Sequence, residues 1–99
     1  MSQLDRLIGS KIQSVEPYEE GAVIRLDCGA ITSYTPTKCH PDTASLVAAE
    51  VLDVKYRPAM SLLLLVEGGA TIEIGLEEEH YSGPEAFCAE FKDGVIVVE

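Results

Sequence analysis

Apolar and polar residues alternate along several short stretches of this chain, and turn-forming residues separate one stretch from the next. Successive side chains of a β-strand point to opposite faces of a sheet, so the alternation predicts strands that bury one face. The pattern predicts seven or eight strands, at Lys11 to Glu16, Ala22 to Asp27, Ala30 to Tyr34, Val51 to Arg57, Ser61 to Glu67, Thr71 to Leu76, Ala86 to Phe91 and Val95 to Val98. The expected fold is mainly β: a single domain, residues 1–99, of about seven antiparallel strands in hairpins, forming a small barrel or sandwich with one or two short helices.

Three stretches resemble copies of one hairpin: Ile12 to Tyr34, Val51 to Ile74 and, in shorter form, Phe87 to Glu99. The first two match at a separation of 39 residues, the difference between positions 51 and 12. The matched residues are Ile12, Val15, Val23, Leu26 and Gly29 in the first copy, and Val51, Val54, Leu62, Leu65 and Gly68 in the second. Because a solenoid needs about three full units, we predict a duplicated hairpin within one small sheet, with chance similarity as the alternative.

Two segments fit short helices. Ser2 to Ile8 begins with the outline of a capping box and places apolar residues on one helical face. Thr43 to Glu50 has apolar residues at helical spacing, and Asp42 or Thr43 can cap its N-terminus. Thr35 to Thr43 contains two prolines and is predicted to be irregular.

The segment between Phe87 and Phe91 is ambiguous, because the two phenylalanines share a face in a helix and also in a strand. The following Asp93-Gly94 pair is a strong hairpin signal, and Val95 to Val98 is β-branched throughout. These neighbours favour a strand that begins at about Ala86.

One predicted strand, Ser61 to Glu67, is apolar on both faces, which is typical of a strand covered on both sides. A helix, the other half of the sheet or a second subunit could supply the second cover. If a subunit supplies it, the protein is a symmetric homodimer. The candidate interface is then formed by Leu62, Leu63, Leu64 and Leu65.

The composition fits one globular domain, since the chain has 99 residues and 46% of them are hydrophobic. No apolar run approaches the roughly 18 to 20 residues that span a membrane, and the first residues do not resemble a secretory signal. The odd count of 3 cysteines does not fit a disulfide framework. We therefore expect a cytoplasmic protein with no membrane partner.

The chain is strongly acidic, with 17 Asp and Glu against 7 Lys and Arg and a formal net charge of -10 at pH 7. A nucleic-acid backbone binds clustered cations, so we expect no nucleic-acid partner. The field of such a surface favours a basic protein partner. The alternative is that the charge only keeps a small protein in solution.

The residues that could ligate a transition metal are Cys28, Cys39, His40, His80 and Cys88. No pair has the spacing with which one loop holds a tetrahedral ion, so we predict no metal and no cofactor. A cysteine nucleophile would combine Cys39 or Cys28 with His40 or His80, but such partners need only meet in space. We predict no catalytic residue. A small-ligand pocket or minor enzyme site near Cys39, His40 and His80 is the alternative function.

Two acidic clusters are the candidate partner-binding residues, Glu16, Glu19 and Glu20 in one and Glu77, Glu78 and Glu79 in the other. Neither cluster has the alternating oxygen ligands and central glycine of a calcium loop. Each is either a solvated face or a docking surface for a cationic partner. The leading hypothesis is a non-enzymatic interaction protein, antitoxin-like or immunity-like, and a structural subunit of a homo-oligomer is a third alternative.

Overall fold

The structure is a computed structural model that describes residues 3–19, 21–77, 79 and 86–98. These described residues form nine β-strands: β1 (Ile12–Pro17), β2 (Ala22–Leu26), β3 (Gly29–Ser33), β4 (Thr37–His40), β5 (Val51–Arg57), β6 (Ser61–Val66), β7 (Ala70–Gly75), β8 (Phe87–Phe91) and β9 (Ile96–Val98). Three short 3-10 helices accompany them, at Gln3–Leu7, Ala44–Leu46 and Glu67–Gly69. The longest described helix has five residues, so none could cross a membrane.

The strands pair antiparallel in two sheets, a five-stranded sheet with the order β1-β2-β3-β8-β9 and a four-stranded sheet with the order β4-β7-β6-β5. Residues from both sheets contribute to one hydrophobic core, so the sheets stack as a sandwich and do not close into a barrel. The predicted mainly β fold, with antiparallel hairpins in a single small domain, is confirmed.

Each sheet contains a unit of three consecutive strands, β1-β2-β3 in one and β5-β6-β7 in the other. After β3 the chain crosses to the four-stranded sheet, where β4 pairs with β7. After β7 it crosses back, and β8 pairs with β3. Each unit is therefore extended by a strand from the opposite half of the chain, and this exchange ties the two sheets into one domain.

The two units coincide with the first two predicted hairpin copies, and their first strands match. Each unit begins at a fully buried residue, Ile12 or Val51, and the pairing of each first strand shifts register immediately afterwards. The second strands align at a separation of 40 residues, the difference between positions 62 and 22. The buried sets are Ala22, Ile24 and Leu26 in β2, and Leu62, Leu64 and Val66 in β6.

The change in separation from 39 to 40 residues comes from a longer turn in the second unit. Tyr18 and Gly21 exchange backbone hydrogen bonds around two residues, whereas the paired residues Arg57 and Ser61 enclose three. The predicted match of Val23 with Leu62 is therefore wrong, because Val23 is half-buried and points away from the core that holds Leu62. A common origin of the two units stays a prediction.

The apolar strand β6 has two different faces. Leu62 and Leu64 are fully buried between the sheets, so the five-stranded sheet supplies their cover. Leu63 and Leu65 point to the outer face, the side turned away from the other sheet, and are half-buried there. The candidate interface therefore narrows to Leu63 and Leu65, and the homodimer stays a prediction.

The helix predicted for Thr43 to Glu50 is too long, because only the 3-10 helix Ala44–Leu46 is helical there. The backbone from Ala48 to Val51 instead bonds to the chain that leads into β1: Ala48 N–H donates to Ile12 C=O at 2.7 Å, and Val51 N–H donates to Ser10 C=O at 2.9 Å. This pairing outweighs the weak helical preference of a short segment.

Three other segments can be compared with their predictions. The helix predicted for Ser2 to Ile8 is the shorter 3-10 helix Gln3–Leu7. The segment Thr35 to Thr43 is less irregular than expected, because it contains β4, which is held in place by its pairing with β7. The strand that begins near Ala86 is confirmed as β8.

The N-terminal 3-10 helix is fixed to the five-stranded sheet at the β8–β9 turn. Leu4 and Leu7 are buried in the core. The Arg6 guanidinium carbon lies 4.4 Å from the centre of the Phe91 ring, and Arg6 Nη2 lies 2.7 Å from Asp93 Oδ2. The guanidinium therefore combines a cation–π contact with an ion pair.

The Arg6–Asp93 contact leads to a pH-dependent prediction. The hydrogen bond from Arg6 and the backbone amide of Val95 hold the pKa of the Asp93 carboxyl below its ordinary value. Because the folded pKa is the lower one, the stabilisation is complete above the unfolded pKa and is lost as pH falls through the folded pKa. We expect R6Q to raise the pKa of Asp93, measured by NMR titration of the carboxyl carbon.

Asp42 is the control for this titration. Its pKa is lowered mainly by hydrogen bonds from Ser45, with no contribution from Arg6, and R6Q should leave it unchanged. An Asp93 pKa that is the same in wild type and in R6Q would contradict the assigned role of Arg6.

Candidate functional site

The chain crosses from the five-stranded to the four-stranded sheet through a corner of buried hydroxyl groups at residues 33–37. Ser33 and Thr35 are almost completely buried. Ser33 Oγ donates to Thr35 C=O at 3.0 Å, and Thr37 Oγ1 donates to Ser33 Oγ at 2.7 Å. Buried polar groups are tolerated where they are hydrogen-bonded, so the hydroxyls let the backbone turn inside the core.

The β1–β2 turn packs against this corner. The Tyr18 hydroxyl donates a hydrogen bond to the Ser33 carbonyl. A Cβ atom on Gly21 would lie 2.2 Å from the Ser33 carbonyl oxygen and 3.0 Å from that of Thr35. Glycine at position 21 therefore allows the close approach that brings Glu16 and Glu19 to this end of the molecule.

The end of β7 is bound to the same corner. Thr35 Oγ1 donates to Gly75 C=O at 2.7 Å, and Gly75 N–H donates to Pro36 C=O at 3.1 Å. Glu77 follows two residues later. Residues about 60 positions apart in sequence are thus collected at one end by hydrogen bonds to the corner.

We name as the acidic end Glu16, Glu19 and Glu77, which these contacts bring to the corner, together with Glu79, two residues further along the chain; all four are exposed. Glu20 and Glu78, which belong to the same predicted clusters, lie outside the described residues. Among the described residues, the one ion pair at this end joins Arg25 Nη2 to Glu16 Oε2 at 3.8 Å. Both side chains are more than half exposed, and such a pair contributes little stability.

Three of the cations lie on the outer face of the four-stranded sheet. Lys38, Lys55 and Arg57 are exposed, and each is paired in register with an outward-facing residue of the four-stranded sheet. Lys38 and Arg57 line one cleft with Glu77, but among the described residues none of the three cations forms an ion pair with a carboxylate of the acidic end.

Among the described residues of the predicted metal and nucleophile set, the three cysteines lie on different segments of the fold. Cys28 lies in the β2–β3 turn, where its N–H donates to Ser10 Oγ at 3.2 Å. Cys39 pairs in register with the buried Ile72, while Cys88 pairs with Thr32 on the other sheet. His80 lies outside the described residues. Within the described part of the chain, no three His, Cys, Asp or Glu side chains form a group that could hold a metal ion.

The Cys39 thiol is poorly suited to act as a nucleophile at neutral pH. It packs against the hydrophobic core, and its burial raises the pKa of the thiol above the ordinary value. The neutral thiol therefore predominates, whereas the thiolate is the reactive form. His40, its neighbour in the strand, is exposed.

The predicted pocket near Cys39, His40 and His80 has a different counterpart in the structure. A cleft of about 230 Å³ opens on the outer face of the four-stranded sheet. It is lined by Pro36, Lys38, Arg57, Met60, Ser61, Glu73, Gly75 and Glu77. Neither Cys39 nor His40 belongs to this lining.

Sequence reasoning missed the residues that assemble the acidic end. The hydroxyls of the buried Ser33 and Thr35 and of the half-buried Thr37 lie in a stretch rich in serine and threonine at the end of a predicted strand. That run is the signal that could have indicated a polar corner, because short hydroxyl side chains bond to nearby backbone.

Comparison with known proteins finds no matching family model, no matching curated protein and no matching solved structure.

Proposed function

We propose that this protein is a non-enzymatic interaction protein whose acidic end binds a basic protein partner. The observation that carries the proposal is the collection of the exposed carboxylates of Glu16, Glu19 and Glu77 at one end, followed along the chain by the exposed Glu79, with a single weak ion pair among the described residues there. An antitoxin-like or immunity-like role is one specific form of this function, and a cytoplasmic setting with three free thiols is part of it.

Charge supports the proposal in two ways. A net charge of -10 attracts a basic protein over long range and speeds the encounter. The exposed carboxylates at the acidic end then supply contacts whose strength falls with ionic strength, because salt screens exposed charges. Binding of this kind depends on where the carboxylates lie as well as on how many there are.

The test compares two variants with the same net charge. The first carries E16Q, E19Q, E77Q and E79Q; the control carries D5N, D53N, E67Q and E90Q, four exposed acidic residues outside the acidic end. Binding of a basic protein captured from lysate at low salt, then identified and purified, is measured for both variants and for wild type. We expect the first variant to bind at least about tenfold more weakly than the control, equivalent to about 1.4 kcal/mol.

Three results would overturn the proposal. Capture of no basic protein at low salt is the first, and binding that raised salt does not weaken is the second. Equal loss of affinity in the two variants is the third, because it would show that net charge alone controls binding.

A further inference from the structure

The cleft on the outer face of the four-stranded sheet is formed where two strands carry small residues side by side. Ser61 of β6 and Gly75 of β7 are direct cross-strand partners, and both line the cleft. The larger side chains of Leu63 and Glu73 form the next cross-strand pair on this outer face. The backbone at Ser61 and Gly75 therefore forms a floor that taller side chains surround.

Charged side chains of both signs form the walls. Arg57 lies on β5 at one side and Lys38 on β4 at the other, with β6 and β7 between them. Neighbouring strands are about 4.8 Å apart, so the main chains of β5 and β4 are roughly 14 Å apart across the cleft. Glu73 and Glu77 lie before and after Gly75 along the chain. Cations thus flank the floor across the strands, and carboxylates flank it along them.

These charges do not neutralise one another by contact. Among the described residues, neither the Lys38 ammonium nor the Arg57 guanidinium makes an ion pair or a hydrogen bond, although Lys38 is the cross-strand partner of Glu73. The cleft therefore offers two unpaired cations and two carboxylates to a bound molecule.

A simple ion fits this arrangement poorly. A lone anion would meet Glu73 and Glu77 as well as the cations, and the net charge of -10 would oppose its approach. A lone cation would meet Lys38 and Arg57. A molecule that carries both charges can place each beside its opposite, and charge-assisted hydrogen bonds are the stronger ones.

We propose that this cleft binds a small zwitterion, whose anionic group lies beside Arg57 and Lys38 and whose ammonium group lies beside Glu73 or Glu77. The volume of about 230 Å³ is below the roughly 300 to 1,000 Å³ of pockets for drug-sized ligands, so the ligand is small. A short amino acid is the simplest member of this class. The cleft shares Glu77 with the acidic end, but the proposal does not require that a protein partner binds there.

The experiment is an NMR titration of the full chain with three probes: 4-aminobutyrate, butyrate and butylammonium. We expect 4-aminobutyrate to shift the amide signals of Ser61 and Gly75 and to saturate in the millimolar range, about -4 kcal/mol for a dissociation constant of 1 mM. Butyrate and butylammonium, which carry one charge each, should bind at least about fivefold more weakly (about 1 kcal/mol by the same relation).

R57Q is the test variant, and K55Q is its matched control. Lys55 lies two residues earlier in β5, is exposed and is absent from the cleft lining. R57Q should weaken 4-aminobutyrate binding at least fivefold, whereas K55Q should leave it unchanged. Retained amide spectra in both variants would show that the fold is intact.

The proposal fails if the Ser61 and Gly75 signals show no saturable shift with 4-aminobutyrate. It also fails if butyrate or butylammonium binds as well as the zwitterion, or if R57Q and K55Q have the same effect. Glu77 belongs to both the cleft and the acidic end, but R57Q and K55Q change no residue of the acidic end and the titration uses no protein partner, so the two proposals can fail separately.

Discussion

Replacing Leu64 by alanine is expected to lower the free energy of unfolding by about 2 to 5 kcal/mol. Leu64 is fully buried between the two sheets, at the centre of β6. Truncation of this side chain leaves a cavity among the Ile and Leu side chains of the core, and water does not fill such an apolar cavity favourably. Because small domains are stable by only about 5 to 15 kcal/mol, this single change would remove a large part of the total.

The matched control is Leu63→Ala, one residue earlier in the same strand. Leu63 is half-buried on the outer face, where it pairs in register with Lys55 and Glu73. Its truncation leaves no enclosed cavity, so we expect a loss of about 1 kcal/mol or less. Urea unfolding at constant m-value measures both losses. Equal losses at the two positions would contradict the assignment of Leu64 to the inner face and Leu63 to the outer face.

Gly29→Ala is expected to destabilise the protein by about 3 kcal/mol or more, because it forces two strands apart. Gly29 begins β3 and is the cross-strand partner of Phe91 in β8. A Cβ atom at this position would lie 2.0 Å from the Glu90 carbonyl oxygen and 2.9 Å from the Phe91 Cα. Both obstacles are backbone atoms, so no side-chain rotation can relieve the overlap, and the β3–β8 ladder itself must move.

Gly68→Ala separates this steric effect from the backbone preference of glycine. Gly68 has a φ of 82°, but nothing lies within 4 Å of a Cβ built there. Alanine at position 68 therefore meets conformational strain alone, which costs about 1 kcal/mol. Urea unfolding of the two variants checks the difference. A loss at position 29 no larger than the loss at position 68 would show that the close approach of β3 and β8 is not rigid.

The local pattern predicted most strand positions well. β5 has the predicted range Val51–Arg57, and β2, β3, β6 and β7 differ from their predicted ranges by about one residue at an end. Alternation is a local property that comes from the pleat of the strand, so it can be read without knowing the partners. The strand choice at Phe87 succeeded for a related reason, since the hairpin signal at Asp93-Gly94 lies next to it.

The predictions that were wrong concern segments whose conformation is set by distant parts of the chain. β4 and the segment from Ala48 to Val51 have weak patterns of their own and take their conformation from strands far away in sequence, β7 and the start of β1. Both segments are short, so pairing energy exceeds any local preference. The repeat register was misjudged for a third reason, because one additional residue in a turn reverses the face on which every following side chain lies.

In the candidate site, too, some features follow from the residues themselves and others depend on the tertiary structure. The exposure of Glu16, Glu19, Glu77 and Glu79 follows from their charge, because an unpaired carboxylate is costly to bury. The collection of Glu16, Glu19 and Glu77 at one end depends on the hydroxyl corner and on Gly21, whose contacts join segments that are remote in sequence. The cleft depends on cross-strand register, which sets Ser61 beside Gly75 and places Arg57 and Lys38 around them.

By itself, the sequence determined a single acidic β domain, its hairpins and the residues that lie in its strands, because alternation and turn chemistry act over a few residues. Only the tertiary structure decided that β4 and β8 exchange sheets, that Leu62 and Leu64 face inward, and which charges lie together. These features depend on hydrogen-bonded pairing and packing between segments far apart in the chain, and no local pattern carries that information.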